Sequence, residues 1–188
     1  MIYKFQPFSP DKHLGQEYNA HCALVPNPED WILILDYDCM VLNPGAYKLM
    51  ELAIERYPET EIFTAVTNRV WYRTQCYKYK LDKGTDLKPH LVLAEKLSWQ
   101  YATGEAVPVV TAAGFFLLFQ KKYWIENPFQ QDIINVNGRI FDVIFCRSAQ
   151  QRASIRMIKG VYCWHTYRIR NKGTQNNSHL WLKKDTQV

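Results

Sequence analysis

Apolar and polar positions fall along this chain in blocks that read alternately as strands and helices. The clearest block is Trp31-Ile32-Leu33-Ile34-Leu35, five large apolar residues in a row that stop at Asp36-Tyr37-Asp38. A run with no polar face predicts a strand buried on both sides, the habit of parallel sheets. Ile2 to Phe5 predicts a short strand ended by Pro7 and Pro10. Leu14, Tyr18, Cys22 and Val25 recur at helical spacing and predict a helix over Leu14 to Val25, closed by Pro26-Asn27-Pro28. Asn43 reads as an N-cap, with Pro44 in the first turn of a helix that carries Tyr47, Met50, Ile54 and Tyr57 on one side. Glu61 to Thr67 predicts a second strand. This order predicts an α/β sandwich with a mostly parallel central sheet, a single domain over residues 1–188.

Beyond Thr67 the pattern weakens. Residues 68–106 are polar, aromatic and charged, and only Leu91 to Trp99 predicts a short helix. So long a stretch inside a compact domain is more often functional than idle. Val109 to Phe119 returns to strand character, Lys121 to Ile125 predicts a turn of helix, and Phe141 to Gln150 a helix. Ile155 to Ile158 and Val161 to Trp164 predict two short strands split by Gly160, the second delivering His165.

Composition narrows the class. A chain of 188 residues, 47% apolar and 22% charged, suits a soluble globular domain with a real core. No signal-peptide pattern opens it, and its longest apolar stretch, Val107 to Phe119, is too short to span a bilayer. The five cysteines are odd in number and form no C-x-x-C pair, so reduced thiols and a cytoplasmic location are expected. The net charge of +5 is uneven: beyond His165, Arg168, Arg170, Lys172, Lys183 and Lys184 face Asp185 alone. Residues 166–188 read as a mobile basic tail, either a lid over an anionic ligand or a solvated terminus.

The chemistry points to the end of the Trp31–Leu35 run. In open parallel sheets ligands bind beyond the carboxyl ends of the strands. Asp36 and Asp38 share a side if extended geometry persists past Leu35. Two such charges repel unless a cation lies between them, and a hard divalent ion suits oxygen ligands. The segment Arg69 to Lys80 interleaves aromatic and basic residues. It reads as an aromatic stacking surface for a ligand, a single-strand nucleic-acid site, an anionic-membrane contact, or a loop packed on the sheet. Nucleic acid ranks well behind the others and is not expected; peripheral membrane contact stays open.

Four landmarks resemble the nucleotide-sugar glycosyltransferases of the GT-A fold, near the family-2 type. They are Leu14-Gly15-Gln16-Glu17-Tyr18-Asn19-Ala20, then Asp30-Trp31-Ile32-Leu33-Ile34-Leu35-Asp36-Tyr37-Asp38, then Ala112-Ala113-Gly114-Phe115-Phe116-Leu117-Leu118-Phe119. The fourth is Phe141-Asp142-Val143-Ile144-Phe145-Cys146, with Gly160-Val161-Tyr162-Cys163-Trp164-His165 after it. The resemblance spans Leu14 to Arg168 and implies metal-assisted, inverting transfer of a sugar from a nucleotide-diphosphate donor to a saccharide or other hydroxyl acceptor. It implies Mn²⁺ or Mg²⁺ held by Asp38 and His165, and mixed carboxylate and imidazole ligation suits Mn²⁺ better than Ca²⁺. Asp36 would hold the ribose or the metal's water shell, and Asp142 would be the general base. Phe8, Ser9, Asn19 and Arg168 would meet the donor, with Asp11 a further candidate for the nucleoside. Trp71, Tyr72 and Gly114 would meet the acceptor.

The chain departs from the family in two places. Ile144 stands where many members have a second acid, and only Ile2 to Phe5 and one helix precede the D-x-D strand, as in a minimal member. These departures favour one rival, a relative that binds sugar or nucleotide without turnover. The other rival is a nucleic-acid module built on Arg69 to Lys80.

Overall fold

A computed structural model describes residues 1–9, 13–82, 84–130, 134–135, 138–139 and 141–166. The apolar run forms β2 (Trp31–Leu35), fully buried along its length. Its side chains alternate between two cores, as the period of a strand requires. Trp31, Leu33 and Leu35 join Leu49, Met50 and Ala53 of helix α2 (Ala46–Arg56). Ile32 and Ile34 join Tyr18 and Cys22 of helix α1 (Leu14–Ala23) on the other face. Helices on both sides of the sheet are the reason β2 carries no polar residue; each buried Ile or Leu contributes roughly 1.5–3 kcal/mol.

The sheet is open, seven-stranded and mixed rather than mostly parallel. Its path runs β1 (Ile2–Phe5), β2, β6 (Phe116–Gln120), β4 (Ile62–Thr67), β9 (Ile155–His165) and β3 (Cys39–Val41), with β5 (Ala106–Pro108) also paired to β9. The pairs β1–β2 and β4–β9 are parallel. Strand β6 runs against both its neighbours, and β3 and β5 run against β9. A fully buried run looks the same in either direction, so the reversal of β6 left no trace in the pattern. A two-stranded hairpin, β7 (Ile134–Asn135) with β8 (Gly138–Arg139), lies apart from the main sheet.

Elsewhere the elements shift from expectation for local reasons. Helix α3 (Leu87–Gln100) is longer than its apolar pattern suggested; Asp86 caps it by accepting the Lys88 N–H, and Pro89 is tolerated in the first turn. The stretch Val109 to Phe119 is not one strand, because residues 109–115 form a loop between β5 and β6. Helix α4 (Lys121–Glu126) forms as expected, while Phe141 to Gln150 divides at Cys146 into α5 (Phe141–Phe145) and α6 (Arg147–Gln151). Among the described residues no helix is long and apolar enough to cross a membrane.

The two short strands expected around Gly160 are one, β9, bent by an irregularity. Ala65 pairs with Ile158 but the next residue, Val66, pairs with Tyr162, so Lys159 to Val161 bulge out. Gly160 is required there, since a Cβ would stand 3.0 Å from the Tyr101 carbonyl oxygen. A bulge leaves ladder groups unpaired and re-aims the strand. Asn43 supplies the missing partners. Its Oδ1 accepts the Tyr162 N–H, and its Nδ2 lies within hydrogen-bonding distance of the carbonyls of Gly160 and Ala94 and of Ser98 Oγ. Asn43 is therefore not the helix cap expected of it: Gly45, in the left-handed region at φ 75°, occupies that position.

Removing the Asn43 amide should orphan several buried backbone groups, at roughly 1–3 kcal/mol for each one left unsatisfied. Asn43→Ala is expected to lower unfolding free energy by about 2–4 kcal/mol in urea titration. An unchanged midpoint would show that the bulge does not depend on this side chain.

Candidate functional site

The bend in β9 decides where the site lies. The first half of the strand pairs with β4 and β5, and the second half with β3 and the end of β4. His165, its last residue, thereby lands directly opposite Cys39, the first residue of β3. Strand β2 ends at Leu35, and Asp36 to Cys39 form a turn in which the Cys39 N–H donates to the Asp36 carbonyl at 3.1 Å. The two acids are brought together by this turn and not by continued extension. Gln6 clamps it, its Nε2 donating to the carbonyls of Asp36 at 2.9 Å and Cys39 at 2.8 Å.

The result is a compact donor set. One ligand atom each from Asp36, Asp38, Cys39 and His165 lies within 4.8 Å of all the others. His165 is buried and stacks on the Phe115 ring, 5.6 Å between centroids. Its Nδ1 lies 3.1 Å from the Arg69 carbonyl, which can only accept, so Nδ1 carries a hydrogen. Nε2 then points at Asp38 Oδ1, 3.3 Å away. Asn68 fixes the strand end from both sides, accepting the His165 N–H at 2.8 Å and donating to its carbonyl at 3.1 Å. An imidazole oriented through its other nitrogen by a carbonyl is how metal-binding histidines are commonly held.

The carboxylates around this set are held in different states. Burial opposes ionisation of Asp38, but hydrogen bonds from His165 and Thr166 outweigh it and keep its carboxyl below the ordinary value. The Thr166 hydroxyl donates to Asp38 Oδ2 at 2.9 Å. Asp36 is pushed up to about 6, chiefly by burial, with the Asp38 charge adding to the rise and His165 and the Tyr18 hydroxyl opposing it. That hydroxyl donates to Asp36 Oδ1 at 2.7 Å. Asp142 is also raised by burial, although it accepts the N–H groups of Gly114 and Val143, each at 2.9 Å. The Asp142 charge raises both Tyr18 and Asp36, so this acid faces the same recess. Gly114 leaves room for that approach, because a Cβ on it would stand 3.0 Å from Asp142 Oδ2 and press on the carboxyl.

Asp36, Asp38 and His165 thus lie together, and Asp142, bonded to the Gly114 N–H, faces them. Tyr72 is half-buried and feels the Asp142 charge, whereas Trp71 is 74% exposed. Phe8 is exposed and packs edge-on against the Tyr37 ring at 5.3 Å, beside the turn. Ser9 is buried, with its hydroxyl accepting the His13 N–H. Asn19 does not fit the donor role expected of it. Its Nδ2 donates to the Phe129 carbonyl while its Oδ1 accepts from Trp124 Nε1 and the Phe129 N–H, so the amide ties α1 to α4 and to the segment after it. Asp11, Arg168 and the rest of the basic tail beyond Thr166 lie outside the described residues.

The sequence reading missed Tyr18, Asn68 and Cys39. Tyr18 looked like one more apolar position of α1, yet a buried tyrosine needs a partner for its hydroxyl, and an unpaired acid was nearby. Asn68 follows a buried run just as Asp36 does, so the same strand-end rule applied to β4 finds it. Cys39 carries no signal in the sequence that separates it from the other four reduced thiols. Compared with protein-family models and with curated proteins, the chain matches none.

The raised Asp36 carries a pH signature. A carboxyl whose folded pKa exceeds its unfolded value near 3.9 contributes stability that is complete below pH 4 and lost as pH rises through about 6. In chelator-treated buffer, Asp36→Asn should raise stability at pH 7 by on the order of 2 kcal/mol and make little difference at pH 4, read from urea midpoints. An equal effect at both pH values would contradict the assigned shift.

Proposed function

We propose that this chain is a GT-A-like glycosyltransferase of a single domain, moving a sugar from a nucleotide-diphosphate donor to a hydroxyl acceptor with the help of a divalent cation. The observation that carries the reading is the junction of Asp36, Asp38 and His165 at the carboxyl end of β2, with Asp142 in the same recess. The order of landmarks along the chain adds to it.

The donor set suits Mn²⁺ or Mg²⁺, because two carboxylates this close are unfavourable without a compensating charge and the imidazole is already oriented by the Arg69 carbonyl. Asp38 and His165 would hold the ion. It would act as a Lewis acid, neutralising the charge that builds on the diphosphate leaving group. Asp36, anchored by Tyr18, would accept a ribose hydroxyl or a water of the ion. Asp142 is held by two backbone N–H groups and raised by burial above the ordinary carboxyl value, a direction that makes it a stronger base toward an acceptor hydroxyl. Tyr72 lies beside it on the acceptor side.

The aromatic and basic segment supports the acceptor role over a nucleic-acid role. Val70, Gln75 and Cys76 are buried, with Gln75 bonded to Thr64 Oγ1 and the Ala113 N–H, so half of the segment is part of the body of the protein. Its exposed part, Trp71 with Lys78 and Tyr79, includes two consecutive residues in the left-handed region, at φ 52° and 59°. Such non-glycine strain is tolerated where a loop is shaped for function. Ile144, in place of a second acid, favours the reading as a binder without turnover.

The test is release of nucleotide from a panel of UDP-, GDP- and dTDP-sugars with and without Mn²⁺. Release from one donor is expected to require Mn²⁺ and to fall at least about a hundredfold in Asp38→Ala and in Asp142→Asn, the scale of losing one acid–base or charge-stabilising group. Metal-dependent thermal stabilisation by a nucleotide without any release would favour the binding-only relative. Neither effect with any donor would sink the proposal.

A further inference from the structure

The fourth member of the donor set is a thiol, and its place is set by the same pairing that delivers the histidine. Cys39 stands directly across the β3–β9 ladder from His165, and side chains so paired share one face with Cβ atoms about 4.5–5.5 Å apart. Its Sγ lies 3.9 Å from Asp38 Oδ1 and is in contact with the Cys163 thiol. It is 6% exposed, and its carbonyl is clamped by Gln6, so the side chain is fixed on the cluster.

We infer that Cys39 makes this cluster a second kind of metal site, one that takes a thiophilic ion such as Zn²⁺ in a closed sphere of Asp36, Asp38, Cys39 and His165, and that this form is an inhibited one. The inference rests on the reading of the cluster as a metal centre. Hard ions such as Mn²⁺ and Mg²⁺ favour carboxylate, imidazole and water, and gain little from sulfur. Zinc takes thiolate, imidazole and carboxylate together in a tetrahedron, with bonds of about 2.0–2.3 Å. Bonds of that length set edges of roughly 3.3–3.8 Å. The present limit of 4.8 Å on all pairs is thus about an ångström of side-chain contraction away. The thiol proton and the Nε2 proton that His165 shares with Asp38 leave to solvent as the bonds to the metal form, and His165 binds through Nε2 while Nδ1–H stays on the Arg69 carbonyl.

The consequence lies in coordination number. A site that completes its sphere with four protein atoms is structural in character, whereas one that acts on a substrate keeps a position open. With Asp38 and His165 alone, an ion retains positions for phosphate oxygens. With Cys39 and Asp36 added, zinc leaves none. The cluster therefore discriminates between ions by function as well as by affinity: a hard ion leaves it open and a soft one shuts it.

The experiment is X-ray absorption at the zinc edge on the full chain loaded with one equivalent of Zn²⁺, alongside Mn²⁺ titration by electron paramagnetic resonance. One sulfur neighbour at about 2.3 Å with nitrogen and oxygen at about 2.0–2.1 Å is expected. In Cys39→Ser the sulfur shell should vanish and zinc affinity fall at least about tenfold, while Mn²⁺ affinity stays within about twofold. Should that variant not fold, Cys39→Ala, which brings no hydroxyl into the buried site, reads the same loss. Zinc bound by nitrogen and oxygen only, or a sulfur shell that survives both substitutions, would overturn the inference while leaving an Mn²⁺ site intact. Failure of both ions to bind would remove the metal centre itself.

Discussion

The pairing of Cys39 with His165 is the contact on which the site depends. Strand β3 starts immediately after the turn that carries Asp36 and Asp38, and β9 ends on the histidine. Joining those two points by a ladder fixes two carboxylates, a thiol and an imidazole relative to one another through backbone hydrogen bonds, which hold position better than side-chain contacts do. Thr166 extends the same ladder, with its N–H donating to the Asp38 carbonyl at 3.1 Å and its hydroxyl to the Asp38 carboxylate.

That ladder forms only because β9 changes neighbours halfway. Strand β4 stays along one edge of β9 on both sides of the bulge, while along the other edge β5 gives way to β3. The bulge at Lys159 to Val161 turns the chain, and the backbone groups it frees are taken up by Asn43 and, for the Lys159 N–H, by the Glu105 carbonyl. Asn43 lies just beyond β3, so the segment that presents the acids also holds the bend that presents the histidine. Two remote parts of the sequence are in this way made one unit, and a fault in either is felt in both.

What the sequence made legible follows from the same physics. The apolar run before Asp36 and Asp38 marked a doubly covered strand and the acids at its end, and the members of the side-chain cluster other than Cys39 were readable from that rule together with the landmark order. Strand direction was not readable, because Leu117 and Leu118 of β6 are buried whichever way the strand runs. The bulge was half legible: Gly160 marked a break, but a break between strands and a bend within one carry the same residue. Asn43 and Asn19 were misjudged for a shared reason. Both amides sit at positions where a local role, capping a helix or facing a ligand, looks sufficient, and both are spent instead on backbone groups far away in the chain.

The electrostatics give the three acids separate duties. Asp38 is held ionised by donors on two sides, His165 and Thr166, so it keeps a fixed charge in the recess. Asp36 and Asp142 are raised by burial and hold their protons more readily. Environments that push neighbouring carboxyl groups apart are how one recess supports both a fixed charge and a proton acceptor. A cation entering beside Asp38 would lower the pKa of Asp36 by direct attraction, and the Asp36 charge is one of the terms that raise Tyr18. Such a cation would thus make the Tyr18–Asp36 hydrogen bond a charge-assisted one and strengthen the tie between α1 and the turn. A cation held there would do more than bridge two side chains: its charge would set the protonation of the residues around it.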